Sequence, residues 1–202
     1  KVADIYFRQE LLSGDSADLI YQVVTPESFK LNQQANRKIK SFEKTEVEIT
    51  RVINSKAGVD FLRKELSTRI KTLQHTDFDL LNDVMSKAHS NKSLHQFSFF
   101  EKGELAGTIF LIETDQSILY LKGTCTSKWK NNGGMYALIH QGIQLAFESN
   151  RTFDFGGSRA EGVRKFNRCF GGKDQQYFGY SWNDGPIWYK ALKALKNKWK
   201  KK

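Results

Sequence analysis

The chain has 202 residues, enough for one large domain with a proper core. Aromatic side chains make up 13% of it, 15 of them Phe, which excludes a disordered chain, and no apolar run reaches membrane-spanning length. The net charge of +10 is concentrated at the end: "IWYKALKALKNKWKKK", 187–202, holds seven lysines and no acid, which leaves +3 for the remainder.

In chain order, residues 1–34 read as a helix or strand over "DIYFRQELL" and a strand over "ADLIYQVV". "QQANRKIKSFEK" reads as a basic helix, and "VEITRVI", 47–53, alternates as a strand. "GVDFLRKELSTRIKTL" puts Val59, Leu62, Leu66, Ile70 and Leu73 on one helical face, and "FDLLNDVMSKAH" repeats that pattern with Asp77 as its N-cap. Three strands follow as an antiparallel meander, "LHQFSFFEKG", "ELAGTIFLIE" and "ILYLKGTCTS". Lys102-Gly103 makes the first tight turn and "TDQS" the second. "GGMYALIHQGIQLAFESN" is a helix, "TFDFGGS" a strand, "GVRKFNRCFGG" a helix with Gly171 at its C-cap, and "QQYFGYSW" a last strand. A meander followed by crossovers implies an α/β fold, a mixed sheet flanked by helices. In the tail, Trp188, Leu192, Leu195 and Trp199 share one helical face. That face reads either as docked on the body or, with its lysines, as a weak contact for an anionic surface or nucleic acid.

No conspicuous catalytic constellation stands out. Two cysteines, Cys125 and Cys169, are too few for a disulfide scaffold and read as reduced thiols of a cytoplasmic protein. The four histidines lack zinc spacing, so no metal is expected, and neither a GxSxG elbow nor a Walker loop occurs. The "SKWKNNGGMYAL" stretch places two glycines and two lysines at a helix start, where free N–H groups and the helix dipole attract anions.

Three segments, in order, carry a resemblance. "NRKIKSFEKTEVEI", "KGELAGTIFLIE" and "FDFGGS…EGVRKFNRCFGG" together resemble the FemAB-type branch of the GNAT acyltransferase superfamily, over about residues 36–182. The resemblance implies the GNAT (acyl-CoA N-acyltransferase-like) fold. It also implies transfer of an acyl or aminoacyl group, from acyl-CoA or aminoacyl-tRNA, onto an amine such as one on a cell-wall precursor. It divides the chain into an N-terminal segment, 1–35, as the remnant of a first lobe, a GNAT-like domain, 36–185, and a basic tail, 186–202. The start at Lys1 rather than Met fits a chain whose first part is not represented. By the same resemblance Asp154, Ser158 and Tyr177 are the catalytic candidates, and Lys130, Asn132, Gly133, Gly134, Met135, Arg159 and Lys165 the donor-binding ones. Two departures stand out. The adjacent Gly133-Gly134 replaces spaced glycines, and Phe166 and Phe170 stand on the helix where many relatives carry a general-acid Tyr. The competing reading is a non-catalytic GNAT-like module that binds nucleic acid or an anionic surface through its tail.

Overall fold

A computed structural model describes residues 15–67, 70, 73–157, 160–181, 186, 188 and 189. Its strands are β1 (Asp15–Val24), β2 (Ile49–Arg51), β3 (Leu94–Glu101), β4 (Glu104–Glu113), β5 (Ser117–Cys125), β6 (Thr152–Gly157) and β7 (Lys173–Ser181). Its helices are α1 (Gln33–Glu43), α2 (Ser55–Ser67), α3 (His75–Ser90), α4 (Ser127–Asn131), α5 (Gly134–Glu148) and α6 (Glu161–Arg168). The sheet runs β2-β3-β4-β5-β6-β1-β7. The β2–β3, β3–β4, β4–β5 and β1–β6 pairs are antiparallel and β5–β6 is parallel, so the sheet is mixed, as the element order implies.

Strand periodicity builds two cores. Along β4, Ile109 and Leu111 enter one apolar cluster, while Phe110 and Ile112 belong to the other. Successive side chains point to opposite faces, so this alternation requires cover on both sides of the sheet. The first cluster holds Ala35, Ile39 and Phe42 of α1, Leu138, Ile139 and Ile143 of α5, and Cys169 and Phe170 just past α6. The second holds Val59, Leu62 and Leu66 of α2 with Phe78, Met85 and Ala88 of α3. Each set follows the i, i+3, i+4 or i+7 spacing of one helical face.

The meander forms over 94–125 with its expected turn: Lys102 at φ 52° and Gly103 at φ +83° give the two positive φ angles of a type I′ hairpin. Other boundaries move. The strand expected over 47–53 shrinks to three residues, and α2 starts three residues before Gly58. Asp77 is not the N-cap of α3. Gln74 is, and the Asp77 carboxylate accepts the Gln74 N–H at 2.8 Å from inside the first turn. Helix α6 is capped by Cys169 rather than Gly171, and α4 has no counterpart in the sequence reading.

Two compact units divide the chain, Ile20–Gln175 and Lys1–Leu19 with Gln176–Lys202. In the second, Trp188 is 65% exposed. Leu192, Leu195 and Trp199, and the segment "DIYFRQELL", lie outside the described residues. Among the described residues no helix is long and apolar enough to cross a membrane.

Candidate functional site

The site follows from how β5 and β6 separate. They pair in parallel at Ser117–Thr152, Ile118–Phe153 and Leu119–Asp154, and no further. Beyond Leu119, β5 continues to Cys125 against β4 alone, while β6 stays with β1 through Tyr21–Gly157. The gap is a cavity of about 320 Å³, lined by Tyr120 of β5, Lys130 of α4, Met135 and Tyr136 at the start of α5, and Gly162, Val163, Phe166 and Asn167 of α6.

Helix α5 presents its N-terminus there, and its first N–H groups have no acceptor within the helix. Gly133, its N-cap, has φ +87°, and a Cβ at this position would lie 2.0 Å from the Lys38 carbonyl oxygen. The glycine is thus required by the close approach of α1 as well as by its own backbone. Lys38 also donates its ammonium to the Asn131 carbonyl, so α1 braces the loop from both sides of one residue. A Cβ at Gly134 would lie 2.9 Å from the Phe99 ring and 3.1 Å from Trp129. Phe99, Trp129 and Phe42 form a cluster of edge-on rings with centroids 5.1–5.4 Å apart, which leaves Gly134 no room for a side chain. Of the two loop lysines, Lys128 is paired with Glu101, which also accepts the Trp129 indole N–H at 3.0 Å. Lys130 stands on the cavity wall.

Burial sets the protonation of the site. It pushes the Tyr120 phenol well above its ordinary range, with Cys125 adding to the effect, and Tyr120 donates to the Gly123 carbonyl at 3.3 Å. Burial likewise raises Tyr136, again with a cysteine, Cys169, contributing, and Tyr136 accepts from Gln34 at 3.0 Å. Both phenols therefore hold their protons at neutral pH and are hydrogen-bond donors rather than phenolates. Asp154, at the point where the strands part, is raised by burial and lowered by the Gly156 N–H, which it accepts at 2.7 Å. That local bond supports Gly156 at φ +71°, a strand-end turn that glycine favours.

The other sequence candidates fall in different places. Met135 stands on the wall beside Lys130, and Gly133 and Gly134 are buried at the head of α5. Asn132 is exposed and caps α4 through its N–H to the Lys128 carbonyl at 3.2 Å. Lys165 pairs with Glu161 at 2.9 Å on the exposed side of α6. Ser158 and Arg159 lie outside the described residues. Tyr177 stands on β7 in the second unit and is 41% exposed. The sequence reading missed Tyr120, Tyr136, Val163 and Asn167 as lining residues. One signal was available: Asn167 interrupts the apolar stripe Val163, Phe166, Phe170 at a position that should itself be apolar.

The fold has solved counterparts. FemX is 12% identical with a TM-score of 0.61, the match covering 79% of this chain and 59% of FemX. L-PGS from Bacillus licheniformis is 13% identical with a TM-score of 0.64, covering 94% of this chain and 68% of that one. The GCN5-related glucosamine N-acetyltransferase region of a fungal multi-domain GH3 β-N-acetylglucosaminidase is 10% identical, with a TM-score of 0.53 and coverage of 89% and 22%. The chain has the GNAT fold, with FemX among its structural relatives. It spans about three fifths of the FemX chain it matches. No family model matches the sequence, and no curated protein matches it.

Proposed function

We propose that the protein is an N-acyltransferase, which moves an acyl or aminoacyl group from acyl-CoA or aminoacyl-tRNA onto an amine. The observation that carries this reading is the cavity where β5 and β6 part, closed at one end by the start of α5 and along one side by α6. Its physics suits a donor with an anionic portion and an apolar arm. The α5 N-terminus and Lys130 attract negative charge, and Tyr120, Met135, Val163 and Phe166 bury apolar surface.

Such chemistry depends mainly on positioning. A donor carbonyl and an acceptor amine held in contact need only a group to take one proton and another to meet the charge on the leaving atom. The protonated phenols of Tyr120 and Tyr136 stand on the cavity wall, and with Tyr177 they are the proposed proton sources. Asp154 is the proposed acceptor-side carboxylate, with Ser158 and Arg159 its proposed neighbours. An amine on a cell-wall precursor is the proposed acceptor. The non-catalytic module remains the second reading, supported by the packing role of Gly133 and Gly134, which explains both glycines without a donor.

Thermal unfolding with acetyl-CoA, CoA and charged tRNA separates the two. A donor at about 100 times its Kd stabilises by roughly 2.7 kcal/mol. Stabilisation by acetyl-CoA or by charged over uncharged tRNA is the expected result. No shift with any of the three refutes the transferase reading.

A further inference from the structure

The outer face of α1 carries charge that the fold does not use. The inner face is spent on packing, with Ala35, Ile39 and Phe42 buried in the first cluster. On the outer face Arg37, Lys40 and Lys44 stand on successive turns, with Gln33, Asn36 and Ser41 beside them, and all six are exposed. The three cations follow one another at about 4.5 and 6 Å along the helix axis. Among the described residues they make no ion pair and no hydrogen bond, unlike Lys38 of the same helix, which donates to the Asn131 carbonyl. Two adjoining hollows run along this face. The larger, about 550 Å³, is lined by these six residues, and the smaller, about 210 Å³, by Gln33, Gln34 and Arg37. Among the described residues no carboxylate lines either hollow. Glu43, the acid of this helix, lies on the flank toward α5, where its charge acts on His140.

A row of cations with no carboxylate among them selects a ligand of repeated negative charge. Two kinds of partner present such charge, and they differ in what else they require. A bilayer surface takes a helix whose apolar side chains enter it. The apolar side chains of α1 are in the core, and no large one is exposed on its outer face. A nucleic-acid backbone requires cations for its phosphates and neutral donors for phosphate and sugar oxygens, a role that Asn, Gln and Ser side chains fill. Gln33, Gln34, Asn36 and Ser41 are donors of that kind, placed between and beside the cations. Open hollows that follow the helix, rather than one deep pocket, suit a strand that carries its charge at short, regular intervals.

We propose that the outer face of α1 binds the phosphodiester backbone of a nucleic acid without regard to base sequence. Arg37, Lys40 and Lys44 neutralise neighbouring phosphates, and Gln33, Asn36 and Ser41 donate to phosphate and sugar oxygens. The surface shares no residue with the cavity between β5 and α6, and the proposal does not rest on the transferase reading. It also assigns the contact to α1 rather than to the seven lysines of the tail.

The test follows the fluorescence anisotropy of a labelled oligouridine strand, and of a labelled RNA duplex, as the full chain is added at about 50 mM and about 200 mM salt. Three proteins are compared. One is the wild type, and one is the triple variant Arg37→Gln, Lys40→Gln, Lys44→Gln. The third, Lys56→Gln, Lys64→Gln, Lys87→Gln, removes the same charge from exposed positions of α2 and α3, on the other side of the sheet. All six positions are exposed and Gln is as good a helix former as Lys, so both variants should unfold with the wild type. The slope of log K against log salt should fall by about three in the α1 variant, with affinity at about 50 mM salt reduced more than about tenfold. The α2–α3 variant should stay close to the wild type. Loss with either RNA supports the proposal, and the form that loses more is the one this face holds. Equal losses in the two variants overturn it, because net charge alone would then account for binding. An α1 variant that binds as the wild type does overturns it in favour of the tail. A wild type that binds neither RNA but is retained on vesicles of phosphatidylcholine and phosphatidylglycerol overturns it in favour of a bilayer, and one that binds neither overturns it outright.

Discussion

Replacing Gly133 with alanine tests how the loop before α5 is built. The natural control is Gly103→Ala. Both glycines are left-handed, at φ +87° and φ +83°, so both substitutions carry the same backbone strain. That strain is about 1–2 kcal/mol for a residue with a Cβ. The positions differ in what the new methyl meets. At Gly103 it meets nothing within 4 Å, whereas at Gly133 it lies 2.0 Å from the Lys38 carbonyl oxygen and 2.8 Å from its carbon. Both of those are backbone atoms, so no rotamer change relieves the contact, and either α1 or the loop must move. Overpacking of this kind adds about 1–3 kcal/mol. The expected losses are therefore about 1–2 kcal/mol for Gly103→Ala and about 2–5 kcal/mol for Gly133→Ala. Urea unfolding followed by circular dichroism measures both, provided the slope is unchanged between them. The clash also displaces the loop that Lys38 holds through the Asn131 carbonyl, so Gly133→Ala should weaken acetyl-CoA binding while Gly103→Ala should not. If the two variants agree within about 0.5 kcal/mol, the close approach of α1 to the loop is wrong.

Three further outcomes are expected. Burial sets the folded pKa of Asp154 above its unfolded value, so the ionised carboxyl opposes folding at neutral pH and the penalty disappears as pH falls below about 4. Asp154→Asn keeps an oxygen for the Gly156 N–H, so it should be more stable than the wild type at pH 7, and the gap should close on acidification; a gap constant across that range would refute the assignment. Glu113 accepts from His95 at 2.6 Å and pairs with Arg151 at 2.9 Å, so Glu113→Ala leaves two partners short and should cost about 1–3 kcal/mol in urea unfolding. A cost below about 0.5 kcal/mol would mean that the three side chains are solvated independently. Lys130→Ala should weaken acetyl-CoA binding severalfold in calorimetry at low salt and less at about 0.5 M salt, where screening shortens the reach of the charge. An effect independent of salt would remove Lys130 from the donor's anionic end.

The parts of the fold legible in the sequence are those fixed by neighbouring residues. The meander could be read because Lys102-Gly103 and the alternation of Ile109, Phe110, Leu111 and Ile112 act within a few residues. Helix α5 was readable from the spacing of Leu138, Ile139 and Ile143. The site was legible only at its frame. The glycine pair and the "FDFGGS" strand end mark where β5 and β6 feed their helices, yet no local pattern says that those strands stop pairing after Leu119. Tyr120 shares a strand face with the core residue Ile118 and has the period of a packing residue; it meets a cavity only because β6 has moved away. Gln22 and Asn167 are 145 residues apart, so their amide pair carries no sequence signature beyond a polar residue on an apolar stripe.

The charges around the site are divided by their partners rather than by their number. The sequence offers Lys128 and Lys130 as equivalent cations at the head of α5, and the basic α1 segment as another. Lys128 is neutralised by Glu101, and Lys38 is committed to the Asn131 carbonyl. Lys130 on the cavity wall and the amide dipoles of α5 make a modest field at one end of the cavity. A field of that size can orient an anionic donor, but it supplies only part of the binding free energy. In the proposed function the rest comes from burying the donor's arm against Tyr120, Met135, Val163 and Phe166. Apolar burial has no direction of its own. It lets the arm slide or roll, so the position of the reactive carbonyl depends on whichever polar atom in the wall is fixed.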